Sequence, residues 1–342
     1  MDLMILRAEK FTIRLSRPFR IAHGSSDTRD TILVHLQADG LQAHGEGALP
    51  PYYPSQAAAC LDWLGNLDVR ALPPDGDDRL IPPAPANAAA ARAALQIALR
   101  DLWGQRCGKP LWQMGELNPP RTPPCARTIS LPEDERELMQ RIAEGRSAGS
   151  RYFKLKSGSG DIAWDENCLR LVLARNPDLH LSVDANAAWS TADAARIIPR
   201  LAVEFVEQPV ARELDAWKEL RGLLGNTKIP PLVADESLQS DRDLLALRGL
   251  ADGVNIKLLK AGGLDGARRW IRQARTLGLG VMIGVMVETG IGRTAAAQLA
   301  PLADWLDIDP PDSIPMAPLS GFRVEGDRLI LSGGPGLGLE SA

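Results

Sequence analysis

Short apolar runs recur along the second half of the chain, each bounded by turn-forming residues and separated from the next by a stretch of helical periodicity. They read ARTISL, YFKLK, LSVDAN, VEFVEQP, PLVADES, VNIKLLK, VMIGVMVETG and ADWLDID, with helices such as PEDERELMQRIAEGRSAG and LDGARRWIRQARTLG between them. Such runs predict parallel strands buried on both faces, and eight of them in βα rhythm predict a β/α barrel. Before roughly residue 50 the pattern changes to strict alternation in FTIRL and TILVHLQ, with Asp39 and Gly40 supplying a hairpin turn before LQAHGEG. After the PPDGDD stretch, the alanine-rich ANAAAARAALQIALRDLWGQ predicts a helix with Asn87 as its N-cap and a stop at Gly108, Lys109 and Pro110. The segment NPPRTPP reads as a linker, and the tail FRVEGDRLILSGGPGLGLE is again β-like, expected to leave the barrel and pack back on the first domain.

A chain of 342 residues that is 45% hydrophobic can bury a full barrel and carry a second domain. Its net charge of −4 and pI near 5.7 give no basic field, which argues against nucleic-acid and membrane-surface partners and leaves small polar substrates. Glu9 and Lys10 interrupt the apolar run that a signal peptide would need, and no segment reaches the length of a membrane helix. Cys60, Cys107, Cys125 and Cys168 show no paired short spacing, against both a disulfide scaffold and a zinc knuckle. The expected compartment is the cytoplasm.

The strand ends carry the chemistry. Lys156, Asp184, Glu207, Asp235 and Lys257 follow one another at intervals of 28, 23, 28 and 22 residues, close to the roughly 25–30 that a strand, a helix and two loops occupy. Three carboxylates and two amines would then meet at the C-terminal mouth of the barrel. Asp184, Glu207 and Asp235 are hard oxygen ligands suited to one Mg²⁺ per subunit, whereas His23, His35, His44 and His180 stand apart and make no zinc or iron set. Taken singly, each acid reads equally well as a helix cap or surface ion pair, and the whole set as a structural ion-pair ring. Strand alternation turns Lys154 and Lys156 the same way, and Lys257 lies across the ring from them. A nearby cation would depress a lysine pKa into the range of a usable base. Chelation of a substrate carboxylate acidifies its α-proton, so lysines on both faces allow removal from one side and return on the other, the route of a racemase or epimerase.

The pair Lys154 and Lys156, the acids Asp184, Glu207 and Asp235, and the NxK lysine Lys257 together resemble the enolase superfamily, specifically its muconate-lactonising subgroup. The resemblance runs over nearly the whole chain. It implies an N-terminal α+β capping domain (1–117), a (β/α)7β barrel (118–320) and a tail returning to the cap (321–342). Asp307 and Asp309 form a DxD pair on the eighth strand, similar to dipeptide epimerases, in which it holds the substrate α-ammonium group. A purely structural reading, that the pair simply ends a strand before Pro310, stands beside it.

The likeness further implies that Lys156 and Lys257 are the two general acid/base catalysts and that Lys154 contacts the substrate carboxylate or adjusts Lys156. Glu288 would help orient Lys257 or the substrate. Arg20, Gly24 and Tyr53 are candidates for substrate binding in the covering loops, with Gly24 and Ser25 where a second cation is expected for a glutamate-type dipeptide. The leading expectation is a Mg²⁺-dependent epimerase of L,L-dipeptides acting through an enediolate. N-acylamino acid racemisation, o-succinylbenzoate synthesis and cycloisomerisation are alternatives on the same resemblance. A Schiff-base aldolase and a catalytically silent binding protein on the same fold lie further off. An exposed barrel face would support homo-oligomers.

Overall fold

The computed structural model describes residues 4–22, 24–115, 121–308 and 319–341. Three antiparallel strands open it: β1 (Ile5–Ile21), β2 (Gly24–Ala38) and β3 (Leu41–Leu49). Asp39 and Gly40 both take positive φ, 53° and 75°, in the two-residue turn that pairs Ala38 with Leu41, as the Asp-Gly signal predicts. Beyond a register shift after Arg14, β1 and β2 continue as a two-stranded arm ending in the pairs Phe19–Ser26, Arg20–Ser25 and Ile21–Gly24.

Two helices, α1 (Ala57–Gly65) and α2 (Ala89–Arg106), cover this sheet. The α2 backbone comes so near β3 that a Cβ at Gly45 would overlap the carbonyl of Ala94 and one at Gly47 the carbonyl of Ala90. Glycine on the strand and alanine on the helix make that approach possible. Asn87 does not cap this helix. A 3₁₀ turn, Ala86–Ala88, leads into it, and Asn87 gives its carbonyl to the Gln56 N–H at 2.8 Å. The hydroxyl of Ser55 accepts from the Ala90 N–H at 3.1 Å, so the preceding segment supplies the acceptor that a side-chain cap would have provided.

Eight parallel strands follow in chain order, each paired with the next: β4 (Arg127–Ile129), β5 (Tyr152–Lys156), β6 (His180–Asp184), β7 (Val206–Glu207), β8 (Leu232–Ala234), β9 (Gly253–Ile256), β10 (Gly280–Gly284) and β11 (Trp305–Asp307). A bridge between Cys125 and Leu306, with Ala126 N–H donating to the Leu306 carbonyl at 3.0 Å, closes the ring. The returning helices are α3 (Glu135–Ser147), α4 (Ile162–Arg175), α5 (Thr191–Ile197), α6 (Leu214–Leu224), α7 (Asp241–Ala246), α8 (Leu258–Ala261) with α9 (Leu264–Thr276), and α10 (Gly290–Ala297). The side chains of Asp134, Asp161, Ser190 and Thr289 accept from first-turn N–H groups of α3, α4, α5 and α10, which fixes where four of these helices start. This is the expected (β/α)7β barrel with an antiparallel capping sheet. Among the described residues no helix is long and apolar enough to cross a membrane.

The tail forms β12 (Leu319–Ser320), a hairpin of β13 (Phe322–Glu325) and β14 (Arg328–Leu331), and β15 (Glu340–Ser341), which pairs with β12. It touches the N-terminal elements where Leu111 N–H donates to the Gly336 carbonyl at 2.9 Å and Leu337 N–H donates to Asp101 at 2.7 Å. The second oxygen of Asp101 accepts from His44 N–H at 2.9 Å, so one buried carboxylate on α2 ties the tail and the sheet together. Burial outweighs these hydrogen bonds and pushes the Asp101 pKa from 3.8 up to about 6.

Because the folded pKa lies above the unfolded one, the contribution of Asp101 to stability is greatest below about pH 4 and is lost as pH rises through 6. Urea unfolding of the wild type and Asp101→Asn should show the wild-type advantage shrinking by about 1–3 kcal/mol between pH 4 and pH 7. A difference independent of pH would contradict this account.

Candidate active site

Parallel register sets the site at the C-terminal ends of the strands. Lys156 on β5 pairs with Asp184 on β6, and Asp184 with Glu207 on β7, while Asp235 and Lys257 directly follow β8 and β9. Lys156 Nζ donates to Asp184 Oδ2 at 2.5 Å and Lys257 Nζ to Asp235 Oδ2 at 2.7 Å. Lys154, wholly buried, donates to Glu207 Oε2 at 2.9 Å and to Asp307 Oδ2, and Asp184 lies 3.6 Å away. A fourth amine joins from the first turn of α8. Lys260 donates to Asp235 Oδ1 at 2.6 Å and to the carbonyls of Asp235 and Asn255 at 2.8 and 3.0 Å.

Amides complete the frame. Asn255 Nδ2 donates to Glu207 Oε1 at 2.6 Å, and Gln208 Oε1 accepts from the backbone N–H groups of Asp235 and Ser237 at 3.0 and 3.1 Å. Gln208 holds this bridge at φ 36°, and Asn186 and Ala187, just past Asp184, sit at 45° and 64°. Left-handed backbone at non-glycine residues costs about 1–3 kcal/mol each, and it falls here beside two of the acids.

Burial opposes the charge of Lys154, Lys156 and Lys257, but the adjoining acids win. Asp307 with Glu207 raises Lys154, Asp184 raises Lys156, and Asp235 raises Lys257. Burial would also raise Asp184 and Asp235, yet their lysines hold both below the usual carboxylate range. Glu236 has no such partner, and burial together with Asp235 pushes it up to about 8. Burial prevails likewise at Lys260, whose pKa is lowered despite Asp235.

Among the described residues no three acidic, histidine or cysteine side chains are already gathered into a metal cage. The reason is visible in the hydrogen bonds: Asp184, Glu207 and Asp235 are each turned onto a lysine. The donor chemistry nevertheless fits a hard divalent cation, since all three are buried carboxylates and two further buried oxygens beside them, Asn186 Oδ1 and Glu236 Oε2, have no hydrogen-bond partner.

The cavity above these groups brings together Lys156, Lys257, Asp235, Asp307 and Tyr53. Other expected residues lie elsewhere. Lys154 sits beneath, its ammonium taken by Glu207 and Asp307 instead of facing a substrate carboxylate. Asp307 faces the cavity while accepting from Thr128 Oγ1 at 2.6 Å. Arg20 is turned away from the cavity and anchors the β1–β2 arm, donating to the Leu131 carbonyl at 2.9 Å, Glu133 at 2.8 Å and Glu137 at 2.5 Å. Gly24, at the exposed tip of that arm with φ 128°, lines no part of the cavity. Glu288 is buried outside it, pushed up to about 8 by burial and by Glu46. Asp309 lies outside the described residues.

Four site residues escaped the sequence reading: Asn186, Glu236, Asn255 and Lys260. Each stands within three residues of a recognised one, in VDAN, ADES and NIKLLK, and that adjacency is the signal that marks them. Glu46 was missed as well. From β3 it accepts from Thr289 N–H at 2.9 Å, Thr289 Oγ1 at 2.5 Å and Gly292 N–H at 2.8 Å, pinning the sheet to the first turn of α10.

The mandelate racemase / muconate lactonizing enzyme N-terminal domain matches residues 5–115, and the enolase C-terminal domain-like family matches residues 137–342. The chain belongs to the enolase superfamily. Within it the chain is 34% identical to an L-Lys-D/L-Arg epimerase from Methylococcus capsulatus, covering 98% of this chain and 97% of that one. The solved dipeptide epimerase from Enterococcus faecalis, complexed with Mg and the dipeptide L-Leu-L-Tyr, is 30% identical with a TM-score of 0.85, covering 100% and 99% of the two chains. A substrate-liganded L-Ala-D/L-Glu epimerase from Bacillus subtilis is 27% identical with a TM-score of 0.88, over 100% and 99%. These are relatives of the same superfamily with different dipeptides in their names.

Removing Lys154 would strand Glu207 and Asp307 in the barrel interior. Lys154→Met should therefore lower stability by about 3–5 kcal/mol in chemical unfolding, far beyond an ordinary surface lysine. Loss of under 1 kcal/mol would show that these acids are not held by Lys154.

Proposed function

We propose that this enolase-superfamily protein is a Mg²⁺-dependent dipeptide epimerase that inverts the α-carbon of the C-terminal residue of an L,L-dipeptide. The observation that carries the reading is the placement of Lys156 and Lys257. They come from the second and sixth strands of an eight-stranded ring, each bonded to a different acid, and both face one cavity. The three relatives named above, all dipeptide epimerases by name, support it.

Asp184, Glu207 and Asp235 would hold the Mg²⁺. When bound, the ion supplies positive charge that stabilises the negative charge the substrate carboxylate gains as the α-proton leaves, and it replaces the lysines as counter-charge to the acids. Burial opposes the charge of Lys156 and Lys257, and with Asp184 and Asp235 engaged by the ion it would favour the neutral base. One lysine takes the α-proton onto Nζ from its side of the substrate, and the other returns a proton from the opposite side. Lys154 holds Asp307 charged and offsets part of the burial that raises Glu207, and Asp307 offers its carboxylate to the substrate ammonium group. Tyr53, from the segment after β3, roofs the cavity and excludes water.

With Mg²⁺ present, Lys156→Ala and Lys257→Ala should each abolish inversion, and each should still exchange the α-proton of one epimer in D₂O, the two variants differing in which. Mass gain and chiral analysis read both quantities, and inversion surviving in either variant refutes the two-base route. Asp235→Asn should weaken Mg²⁺ by at least about tenfold in titration calorimetry. An unchanged Kd would remove Asp235 as a ligand.

A further inference from the structure

We propose, resting on the epimerase reading, that the dipeptide's C-terminal residue carries an apolar side chain, aromatic or large aliphatic, and that a glutamate side chain is rejected. The walls above the two lysines are the ground for it. The β1–β2 arm brings Phe19 and Ile21, the end of β3 and the segment after it bring Leu49, Tyr52 and Tyr53, and the segment after β10 brings Met286. These groups lie close to the reacting positions. Met286 Sδ is 4.0 Å from Lys257 Nζ, and both tyrosines are close enough to Lys257 for its charge to bear on their hydroxyls. Their rings sit 5.5 Å apart at 56°, a tilted pair whose edges and faces suit another ring or a branched chain. A side chain leaving an α-carbon held between Lys156 and Lys257 therefore runs into these walls.

The charges around the same cavity argue against an acidic side chain. Arg20, the cation expected to receive one, is committed to Glu133, Glu137 and Leu131. Asp30 is paired with Lys10 at 3.0 Å, and Glu236 adds a second acid with a buried, unpartnered oxygen. With Lys156 and Lys257 engaged at the reacting carbon, a glutamate carboxylate among these apolar walls would be desolvated with no cation but Arg29 in reach, and a buried unpaired charge costs several kcal/mol. Apart from Lys156 and Lys257, Arg29 is the one cation lining the cavity among the described residues, donating to the Thr28 carbonyl at 2.9 Å, and a test must address it.

The experiment compares kcat/KM of the Mg²⁺-loaded enzyme for L-Ala-L-Phe, L-Ala-L-Leu, L-Ala-L-Glu and L-Ala-L-Lys. L-Ala-L-Phe or L-Ala-L-Leu should exceed L-Ala-L-Glu and L-Ala-L-Lys by about 100-fold or more. Tyr53→Ala should raise KM for the apolar dipeptides about tenfold with a smaller effect on kcat, and Tyr53→Phe should restore it, since the ring and not the hydroxyl does the packing. Preference for L-Ala-L-Glu that is lost in Arg29→Leu would overturn the inference and leave the epimerase reading standing, with Arg29 as the anion receptor. Preference for L-Ala-L-Lys would overturn it too. Turnover of no dipeptide at all would sink the epimerase reading, and this inference with it.

Discussion

Four lysines and five acidic side chains pack into one buried cluster at the C-terminal ends of the strands, and the mutual neutralisation of the charged ones is the constraint on which the rest of the molecule depends. Lys154, Lys156, Lys257 and Lys260 interleave with Asp184, Glu207, Asp235, Glu236 and Asp307, and removal of either member of a lysine–carboxylate pair leaves a charge that the barrel interior cannot solvate. An apolar interior of the same volume would be at least as stable, so stability alone does not account for the set. Asn186 Oδ1 and Glu236 Oε2 stay buried without a partner, so the cluster holds oxygens that its own amines do not serve. A hard divalent cation would serve them, and the nearest acids end or directly follow the three consecutive strands β6, β7 and β8.

The backbone serves this cluster at some local expense. Gln208 bridges from the end of β7 to the Asp235 backbone while holding φ at 36°, and Asn186 turns back at 45° to bond Asp184 Oδ1 through its own N–H at 2.9 Å. These left-handed residues are tolerated because hydrogen bonds on both sides over-determine them. Lys260 works in the same sense. Two of its bonds hold the Asp235 side chain and carbonyl and a third holds the Asn255 carbonyl, while Asp235 Oδ2 accepts from Lys257.

Much of this was legible in the amino-acid order because barrel strands impose a spacing that the charged residues share. Lys156, Asp184, Glu207, Asp235 and Lys257 are readable as one set from intervals alone, and the Asp39–Gly40 turn from its conformational requirement. Arg20 was not legible. Its fate is decided by Glu133 and Glu137, more than a hundred residues away, and no local pattern reveals that pairing. The N-terminus of α2 escaped for a similar reason, since Ser55 rather than Asn87 accepts from the Ala90 N–H of its first turn. The need for glycine at Gly45 and Gly47 is equally invisible locally, because it is set by the alanine face of α2 lying against them.

The capping sheet is part of the catalytic apparatus through a single carboxylate. Glu46 leaves β3 between those two glycines, on the face opposite α2, and takes the hydrogen bonds of Thr289 and Gly292 at the start of α10. Its strand neighbours Ala48 and Leu49 line the cavity, as does the following Pro50. The contact with α10 therefore anchors the same strand that carries part of the cavity roof. Glu288 beside it, with its pKa near 8, remains protonated at neutral pH, so the junction does not confront two like charges in the barrel wall. The tilt of the roof over Lys156 and Lys257 is thus set at the β3–α10 contact, outside the reacting groups, and the Arg20 anchor at the other end of the arm fixes it from the opposite side.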